Sequence, residues 1–130
     1  MRGVRKGANM SVQLQIEVKP DYLAAMFSGE APAEEAWRRF EPIAKHCERE
    51  NKNKLLLDFR EAHSKVSLID RYFLAVGAQI FAHYEVIQVA VVLRPEHIDS
   101  QGFDELVLQN RWVNLRHFTN IEDAEQWLLK

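Results

Sequence analysis

The chain has 130 residues, of which 47% are apolar and 28% charged, a composition typical of one globular domain. Its 17 basic and 19 acidic residues leave a net charge of -2, so no overall positive field exists to attract nucleic acid. The single cysteine, Cys47, excludes an intrachain disulfide and a cysteine-rich metal site, and no apolar run reaches the ~18 residues of a membrane span. We therefore expect a cytoplasmic protein that binds no nucleic acid and no metal.

The N-terminal part of the chain reads as a tail followed by a β-hairpin. Residues 1–10 are basic and lack an apolar stretch, which predicts a disordered tail before a domain that spans residues 11–130. Residues 12–18 alternate apolar and polar side chains, the pattern of a strand with one buried face. Turn residues follow, and residues 22–27 form a second predicted strand. The short connection predicts that the two strands pair antiparallel.

A helix is predicted to start near Pro32, because proline suits a first helical position and the acids that follow suit the positive end of the helix. Small and apolar residues then recur at helical spacing, at Ala33, Ala36, Trp37, Phe40, Ile43, Ala44 and Cys47. Pro42 lies inside this pattern and predicts a kink or a break. Cys47 lies on the apolar face, so we interpret it as a packing residue.

The rest of the chain alternates short apolar runs with helical patterns. Strands are predicted at residues 55–59, 87–93 and 113–118. Helices are predicted at residues 68–84, 103–110 and 121–128. Residues 60–65 are predicted to form a polar loop, and residues 119–122 resemble a capping box before the last helix. The element order predicts an α/β fold, with a mixed sheet of about five strands (an N-terminal hairpin, then βαβ units) and about four helices.

The helix predicted at residues 68–84 is apolar on most of its surface. Asp70, Arg71, Gln79 and His83 carry nearly all of its polarity. A helix of this kind is expected to be covered on more than one side. A neighbouring helix of the same chain would provide one cover, and another subunit, a membrane surface or an apolar ligand are the alternatives.

Several stretches, taken in order, resemble the SpoIIAA-like family. They are Leu55-Leu56-Leu57-Asp58-Phe59-Arg60, Asp70-Arg71-Tyr72, residues 89–96, residues 110–111 with 113–119, and residues 124–128. The likeness covers nearly the whole chain after the N-terminal tail. Members of that family are mostly uncharacterised bacterial proteins, and their fold is similar to STAS domains and to the CRAL-TRIO lipid-binding domain. The resemblance implies a single-domain SpoIIAA-like (STAS-type) fold.

The resemblance also implies a role in regulation or ligand binding. The STAS likeness implies protein–protein contact, as in anti-sigma-factor antagonists, and the CRAL-TRIO likeness implies a lipid or another apolar ligand. Regulatory STAS domains carry a phosphorylatable serine in an Asp-Ser-Ser-Gly pattern. Here Asp70 matches the aspartate, but Arg71 stands at the position of the serine. A phosphorylation switch is therefore not expected.

The candidate binding residues follow the carboxyl ends of the buried strands, where open α/β sheets bind their ligands. This set consists of Asp58, Arg60, His63, Ser67, Asp70, Arg71 and Arg94. Guanidinium groups, an imidazole and a helix N-terminus favour an anion, such as a phosphate or carboxylate head group. The alternative is that these loops are polar because they meet water, and that Ser67 and Asp70 only cap the helix.

Three functions are compatible with these patterns. The first is a non-enzymatic module that binds a lipid-like or anionic small molecule or associates with a membrane, with the helix at residues 68–84 as one wall. The second is a protein-interaction domain in signalling, dimeric and without the phosphoacceptor serine. The third is an enzyme in which Asp58 orients His63 as a base. The sequence has no nucleophile elbow, glycine-rich phosphate loop or metal-ligand spacing, so no cofactor is predicted.

Overall fold

A single mixed sheet forms the centre of the protein. The computed structural model describes residues 12–30, 33–63, 79–95 and 113–130. The strands are β1 (Gln13–Val18), β2 (Leu23–Glu30), β3 (Lys54–His63), β4 (Gln88–Val92) and β5 (Asn114–Phe118). They lie side by side in chain order, with β1 antiparallel to β2 and the other neighbours parallel. The predicted hairpin and the parallel core of the sheet are therefore confirmed.

The helices within the described residues are α1 (Ala33–Arg38), α2 (Phe40–Arg49), α3 (Ile80–His83) and α4 (Ile121–Leu129). Helices α1 and α2 lie where a helical pattern with a kink or a break at Pro42 was predicted, and α4 confirms the last predicted helix. Helix α3 is the end of the helix predicted at residues 68–84. The first part of that helix, the predicted tail at residues 1–10 and the helix predicted at residues 103–110 lie outside the described residues.

Pro42 breaks the first helical region four residues upstream of itself. A helical bond from residue 42 would reach the carbonyl of Arg38, but proline has no N–H to donate. The chain instead closes a tighter turn, in which Arg39 N–H donates to the Ala36 carbonyl at 3.0 Å. Pro42 itself lies in the first turn of α2, where its missing N–H leaves no helical bond unmade. The helical spacing placed Trp37 on the apolar face, but its side chain, just before the break, is 49% exposed.

Strand β3 is longer than its apolar run predicts. It continues past Phe59 to His63, so the predicted loop at residues 60–65 is wrong for residues 60–63. The extra residues pair with the end of β2, as far as Glu30 opposite His63. The register shifts along the way, and Gly29 takes a positive φ of 84°, which glycine adopts without strain. The polar side chains indicated a loop, but β2 supplies the backbone partner that keeps them in a strand.

Helices cover both faces of the sheet and bury two hydrophobic clusters, because successive strand residues point to opposite faces. The large core lies between the sheet and helices α1 to α3, and it includes Leu23, Ile43, Leu55, Phe81 and Val89. The small core lies between the sheet and α4, and it includes Leu56, Ala90, Val92, Ala124 and Leu128. The alternation along β3 and β4 therefore divides their apolar residues between the two cores.

Cys47 is a member of the large core, as its place on the apolar face predicts. Its side chain is fully buried. Burial disfavours the charged thiolate and raises the pKa of the Cys47 thiol to about 12. The thiol therefore stays protonated at neutral pH and serves in packing.

Helix α4 runs back across the sheet, from the carboxyl edge of the parallel strands to their amino edge. It begins after Asn120, whose side-chain oxygen accepts a hydrogen bond from Asp123 N–H at 2.8 Å. The cap therefore falls one residue later than the predicted box at residues 119–122 indicates. At the other end of α4, the Lys54 ammonium donates to the Leu128 carbonyl at 2.6 Å. The start of α4 thus lies at the same edge as the candidate binding residues.

Candidate functional site

Three of the candidate side chains lie at the carboxyl edge of the parallel strands. In the ladder, Asp58 of β3 lies opposite Val92 of β4, and Val92 lies opposite Phe118 of β5. Arg60 lies two residues after Asp58, and Arg94 lies two residues after Val92. The three side chains are thus placed at the edge where open α/β sheets bind ligands, as predicted, and a binding role for them stays a prediction.

Asp58 is the only charged side chain that is buried among the described residues, with 5% of its surface exposed. Its Oδ1 accepts hydrogen bonds from the backbone N–H and from the side-chain Nε of Arg60, each at 3.0 Å. Its Oδ2 accepts a hydrogen bond from Nη2 of Arg60 at 2.9 Å. Alternate residues of a strand share one face, so side chains two positions apart are neighbours. This forked ion pair compensates for the burial of the carboxylate. Asp58 therefore positions Arg60, and both of its carboxylate oxygens accept hydrogen bonds from that residue.

Arg60 presents an oriented guanidinium to solvent. Its side chain is 39% exposed, although Asp58 holds one edge of it. The hydrogen bond to Asp58 raises the pKa of Arg60, burial opposes this shift, and the charges of Asp58, Glu61 and Glu122 add to it. The sequence pattern did not point to Glu122, because an acid in the first turn of a helix is already explained by the helix dipole. The edge therefore combines a fixed cation with neighbouring carboxylates.

Arg94 links the segment after β4 to the extended end of β3. Its Nη2 donates to the Ala62 carbonyl at 3.2 Å. The ladder between β3 and β4 ends at Val92 opposite Asp58, so this side-chain bond continues the link beyond the ladder. Arg94 thus has a structural partner at the edge.

His63 lies far along β3 from its predicted catalytic partner Asp58. Four residues of extended strand lie between them, and the five steps from Asp58 to His63 correspond to about 16 Å of backbone. The carboxylate that would orient the imidazole is instead bound to Arg60. A base and its orienting group need to be within hydrogen-bond reach. The geometry therefore offers no support for the enzyme hypothesis built on this pair.

The other candidates, Ser67, Asp70 and Arg71, lie outside the described residues. Their proposed contacts stay predictions, and so does the replacement of the phosphoacceptor serine by Arg71. The apolar helix that was predicted as a wall of the site also lies mostly outside these residues. The described end of this helix is α3.

Helix α3 lies at the other end of the sheet from Asp58. Phe81 of α3 is fully buried in the large core, with its ring centroid 5.1 Å from that of Phe40. Beside it, an open depression of about 410 Å³ is lined by Gln79, Ala82, His83 and Ile87. Ile87 directly precedes β4, so the depression lies at the amino edge of the parallel strands. This end of the predicted wall is thus separated from Arg60 and Arg94.

The described ranges also bear on metal binding and on membrane-spanning helices. No group of three or more His, Cys, Asp or Glu side chains in those ranges is arranged to hold a metal ion. No helix there has both the length and the apolar character needed to cross a membrane.

Solved structures with a similar backbone identify the fold. One is an anti-sigma factor antagonist from Mycobacterium paratuberculosis, with a TM-score of 0.62 and 12% sequence identity over 92% of this chain and 95% of that chain. Another is an uncharacterised protein from Shewanella loihica with a SpoIIAA-like fold, with a TM-score of 0.55 and 20% identity over 91% of this chain and 94% of that chain. No protein-family model and no curated protein matches the sequence. The predicted SpoIIAA-like (STAS-type) fold is thereby confirmed.

Proposed function

We propose that this chain is a cytoplasmic, non-enzymatic regulatory module that acts by binding a protein partner. The observation that carries the proposal is the backbone match to an anti-sigma factor antagonist over 92% of the chain. An antagonist of this kind has another protein as its target. Arg71, at the position expected for a phosphoacceptor serine, favours partner binding that is not switched by phosphorylation at that position.

The proposed contact surface is the carboxyl edge of the parallel strands. Asp58 orients Arg60 before any partner arrives, so little side-chain entropy is lost when a contact forms. Glu61 and Glu122 are exposed at the same edge, so both signs of charge are available there. Arginine is enriched in protein interfaces, where its planar fork pairs with carboxylates. The edge therefore fits a charged protein surface that places a carboxylate against Arg60.

A lipid-like or anionic ligand, or peripheral contact with a membrane, has less support. Among the residues expected to bind the head group, Arg94 already donates to the Ala62 carbonyl within the protein. The depression beside α3 is open and lies at the opposite edge of the sheet. These alternatives are distinguished from a protein partner by the following experiment.

Native mass spectrometry of the protein, purified from its source cells, tests the class of ligand. We expect a complex with a protein of defined stoichiometry, which reassembles when the two purified components are mixed. A lipid-sized mass that is released on denaturation, without such a protein, would overturn the proposal and establish a ligand-binding module.

A conservative pair of variants then tests the contact surface. Arg60→Lys keeps the positive charge but loses the planar fork, and we expect it to weaken partner binding about 10-fold. Arg49→Lys makes the same change at an exposed position at the end of α2 and is expected to leave the affinity unchanged. Calorimetric titration of the reconstituted partner measures both affinities. Equal affinities for the two variants would remove Arg60 from the interface.

A further inference from the structure

Strand β1 forms one outer edge of the sheet. It pairs with β2 from Gln13 opposite Ser28 to Val18 opposite Leu23, without a register shift. Within the described ranges, no strand pairs with its other edge. Natural edge strands are commonly protected by a bulge, a proline or charged side chains. Residues 13–18 contain no bulge and no proline, and their one charged side chain, Glu17, is exposed. The edge of β1 is therefore suited to accept another strand.

The outward backbone groups of β1 belong to its even-numbered residues. Lys19 N–H donates to the Tyr22 carbonyl at 2.9 Å, which identifies this as a hydrogen-bonded pair at the end of the hairpin. Hydrogen-bonded pairs alternate with non-hydrogen-bonded pairs along an antiparallel ladder, so the odd-numbered residues of β1 bond to β2. The N–H and C=O groups of Leu14, Ile16 and Val18 therefore point away from β2.

The side chains of the same three residues are incompletely covered. Leu14 and Ile16 are half-buried against the large core, and Val18 is 45% exposed. The odd-numbered residues of β1 are exposed on the opposite face of the sheet. The edge thus combines outward backbone groups with apolar side chains that an added strand would cover.

We propose that β1 pairs with β1 of a second copy of this chain, antiparallel about a twofold axis at Ile16, so that two five-stranded sheets join into one. Opposite residues of an antiparallel pair share a face, so only registers that pair even with even residues keep the apolar side chains together. The register at Ile16 gives each of the three outward residues a partner. Ile16 lies opposite Ile16 of the partner subunit, and Leu14 lies opposite Val18 of the partner subunit.

The neighbouring registers are less favourable. With the twofold axis at Gln15, Val18 would lie opposite Val12 of the partner subunit, which precedes the start of β1 at Gln13. With the twofold axis at Glu17, Glu17 would lie opposite Glu17 of the partner subunit, which places like charges together. The register at Ile16 sets no like charges opposite each other.

Two polar pairs are specific to the register at Ile16. Gln15 lies opposite Glu17 of the partner subunit, and Gln13 lies opposite Lys19 of the partner subunit. Each pair occurs twice because of the twofold axis. One short strand from each copy makes a small interface, so a reversible dimer that depends on concentration is expected. This dimer uses the outer strand β1 and leaves the carboxyl ends of the parallel strands uncovered. Dimerisation can therefore fail while partner binding at those strand ends succeeds, and the reverse also holds.

Sedimentation and amide hydrogen exchange on the full chain test the dimer and its strand. We expect a monomer–dimer equilibrium, in which rising protein concentration protects the amides of Leu14, Ile16 and Val18. The odd-numbered amides of β1 are expected to be protected at all concentrations, because they bond to β2. A monomer at every concentration, or a dimer without the alternating protection, would overturn the proposal.

Charge variants at the two exposed glutamines test the register without disturbing the core. Gln15→Lys should tighten the dimer about 3- to 10-fold and Gln15→Glu should weaken it by a similar factor, because residue 15 faces Glu17 of the partner subunit. The signs should reverse at Gln13, which faces Lys19 of the partner subunit. Circular dichroism checks that each variant is folded. Effects of the same sign at both positions, or no effect at either, would rule out this register.

Discussion

Asp58 and Arg60 illustrate, at the scale of single residues, how a two-residue spacing becomes an ion pair. On an extended strand the two side chains point to the same face, and the carboxylate accepts three hydrogen bonds from one arginine. Both side chains were expected to face a ligand, because they lie at the carboxyl end of a predicted buried strand. Because β3 continues to His63, Asp58 instead positions Arg60.

Replacement of Asp58 tests this positioning role. Asp58→Asn is expected to lower the free energy of unfolding by about 1–3 kcal/mol, because an amide cannot accept all the hydrogen bonds that the carboxylate accepts. Urea denaturation followed by circular dichroism measures the change. Glu61→Gln removes an exposed carboxylate next to Arg60 and is expected to change stability by less than about 0.5 kcal/mol. Equal effects would mean that general charge, and not the fork, stabilises this edge.

The buried thiol of Cys47 makes stability depend on alkaline pH. Its pKa rises from 9.0 to about 12 in the folded protein, so the unfolded chain releases a proton that the folded chain retains. This contribution to stability is fully present below pH 9.0 and is lost as the pH rises toward about 12. At a pH of about 10 the loss is on the order of 1 kcal/mol.

Comparison with Cys47→Ala isolates this effect from other groups that titrate at alkaline pH. The variant lacks the thiol, so the stability advantage of the wild type should shrink as the pH rises from about 8 to about 10. Urea denaturation at each pH provides the free energies of unfolding. A difference that stays constant with pH would contradict burial of a protonated thiol.

At the scale of elements, α2 and α3 end in the same way. After α2, Asn51 has a φ of 60°, and the next N–H donates to the Cys47 carbonyl at 2.8 Å. After α3, Glu85 has a φ of 65°, and the next N–H donates to the Phe81 carbonyl at 2.8 Å. Both ends therefore use a left-handed residue to satisfy the last helical carbonyls before the chain enters β3 or β4.

Glycine at these two positions is expected to stabilise the protein by different amounts. Glu85→Gly should raise the free energy of unfolding by about 1 kcal/mol, because the Cβ of glutamate crowds the backbone at positive φ. Asn51→Gly should yield a smaller gain, because asparagine tolerates this conformation better than glutamate. Thermal denaturation followed by circular dichroism compares the two variants. A neutral Glu85→Gly variant would show that the left-handed conformation costs little at this position.

At the scale of the whole molecule, the two cores share the same central strands. Leu55 and Leu57 of β3 belong to the large core, and Leu56 between them belongs to the small core. Tyr22 adds a link between the layers, because its hydroxyl donates to the Glu125 carboxylate of α4 at 2.9 Å. Neither core can form without strands that the other core also needs. The described layers are therefore expected to unfold together.

One substitution in each core tests this cooperativity. Ile43→Ala in the large core and Leu128→Ala in the small core should each lower the free energy of unfolding by about 2–5 kcal/mol, because both side chains are fully buried. In each variant, the urea transitions followed by tryptophan fluorescence and by far-UV circular dichroism should coincide. Two separate transitions in either variant would show that the layers unfold independently.

The sequence by itself determined the features that depend on neighbours along the chain. Alternating side chains predicted the hairpin, apolar runs predicted the central parallel strands, and Pro42 predicted the break between α1 and α2. The order of these elements, together with the family resemblance, led to the SpoIIAA-like fold. Periodicity and proline geometry are local properties, so they can be interpreted without knowing which segments meet in space.

Only the tertiary structure decided where β3 ends and what its polar residues do. The polar residues after Phe59 predict a loop, yet the end of β2 supplies the backbone partners that keep them extended. That extension joins Asp58 to Arg60 and separates Asp58 from His63. A strand end depends on hydrogen bonds to a segment distant in the chain, and a side chain's role depends on which groups fill its acceptors. Neither property is encoded in the residues next to it.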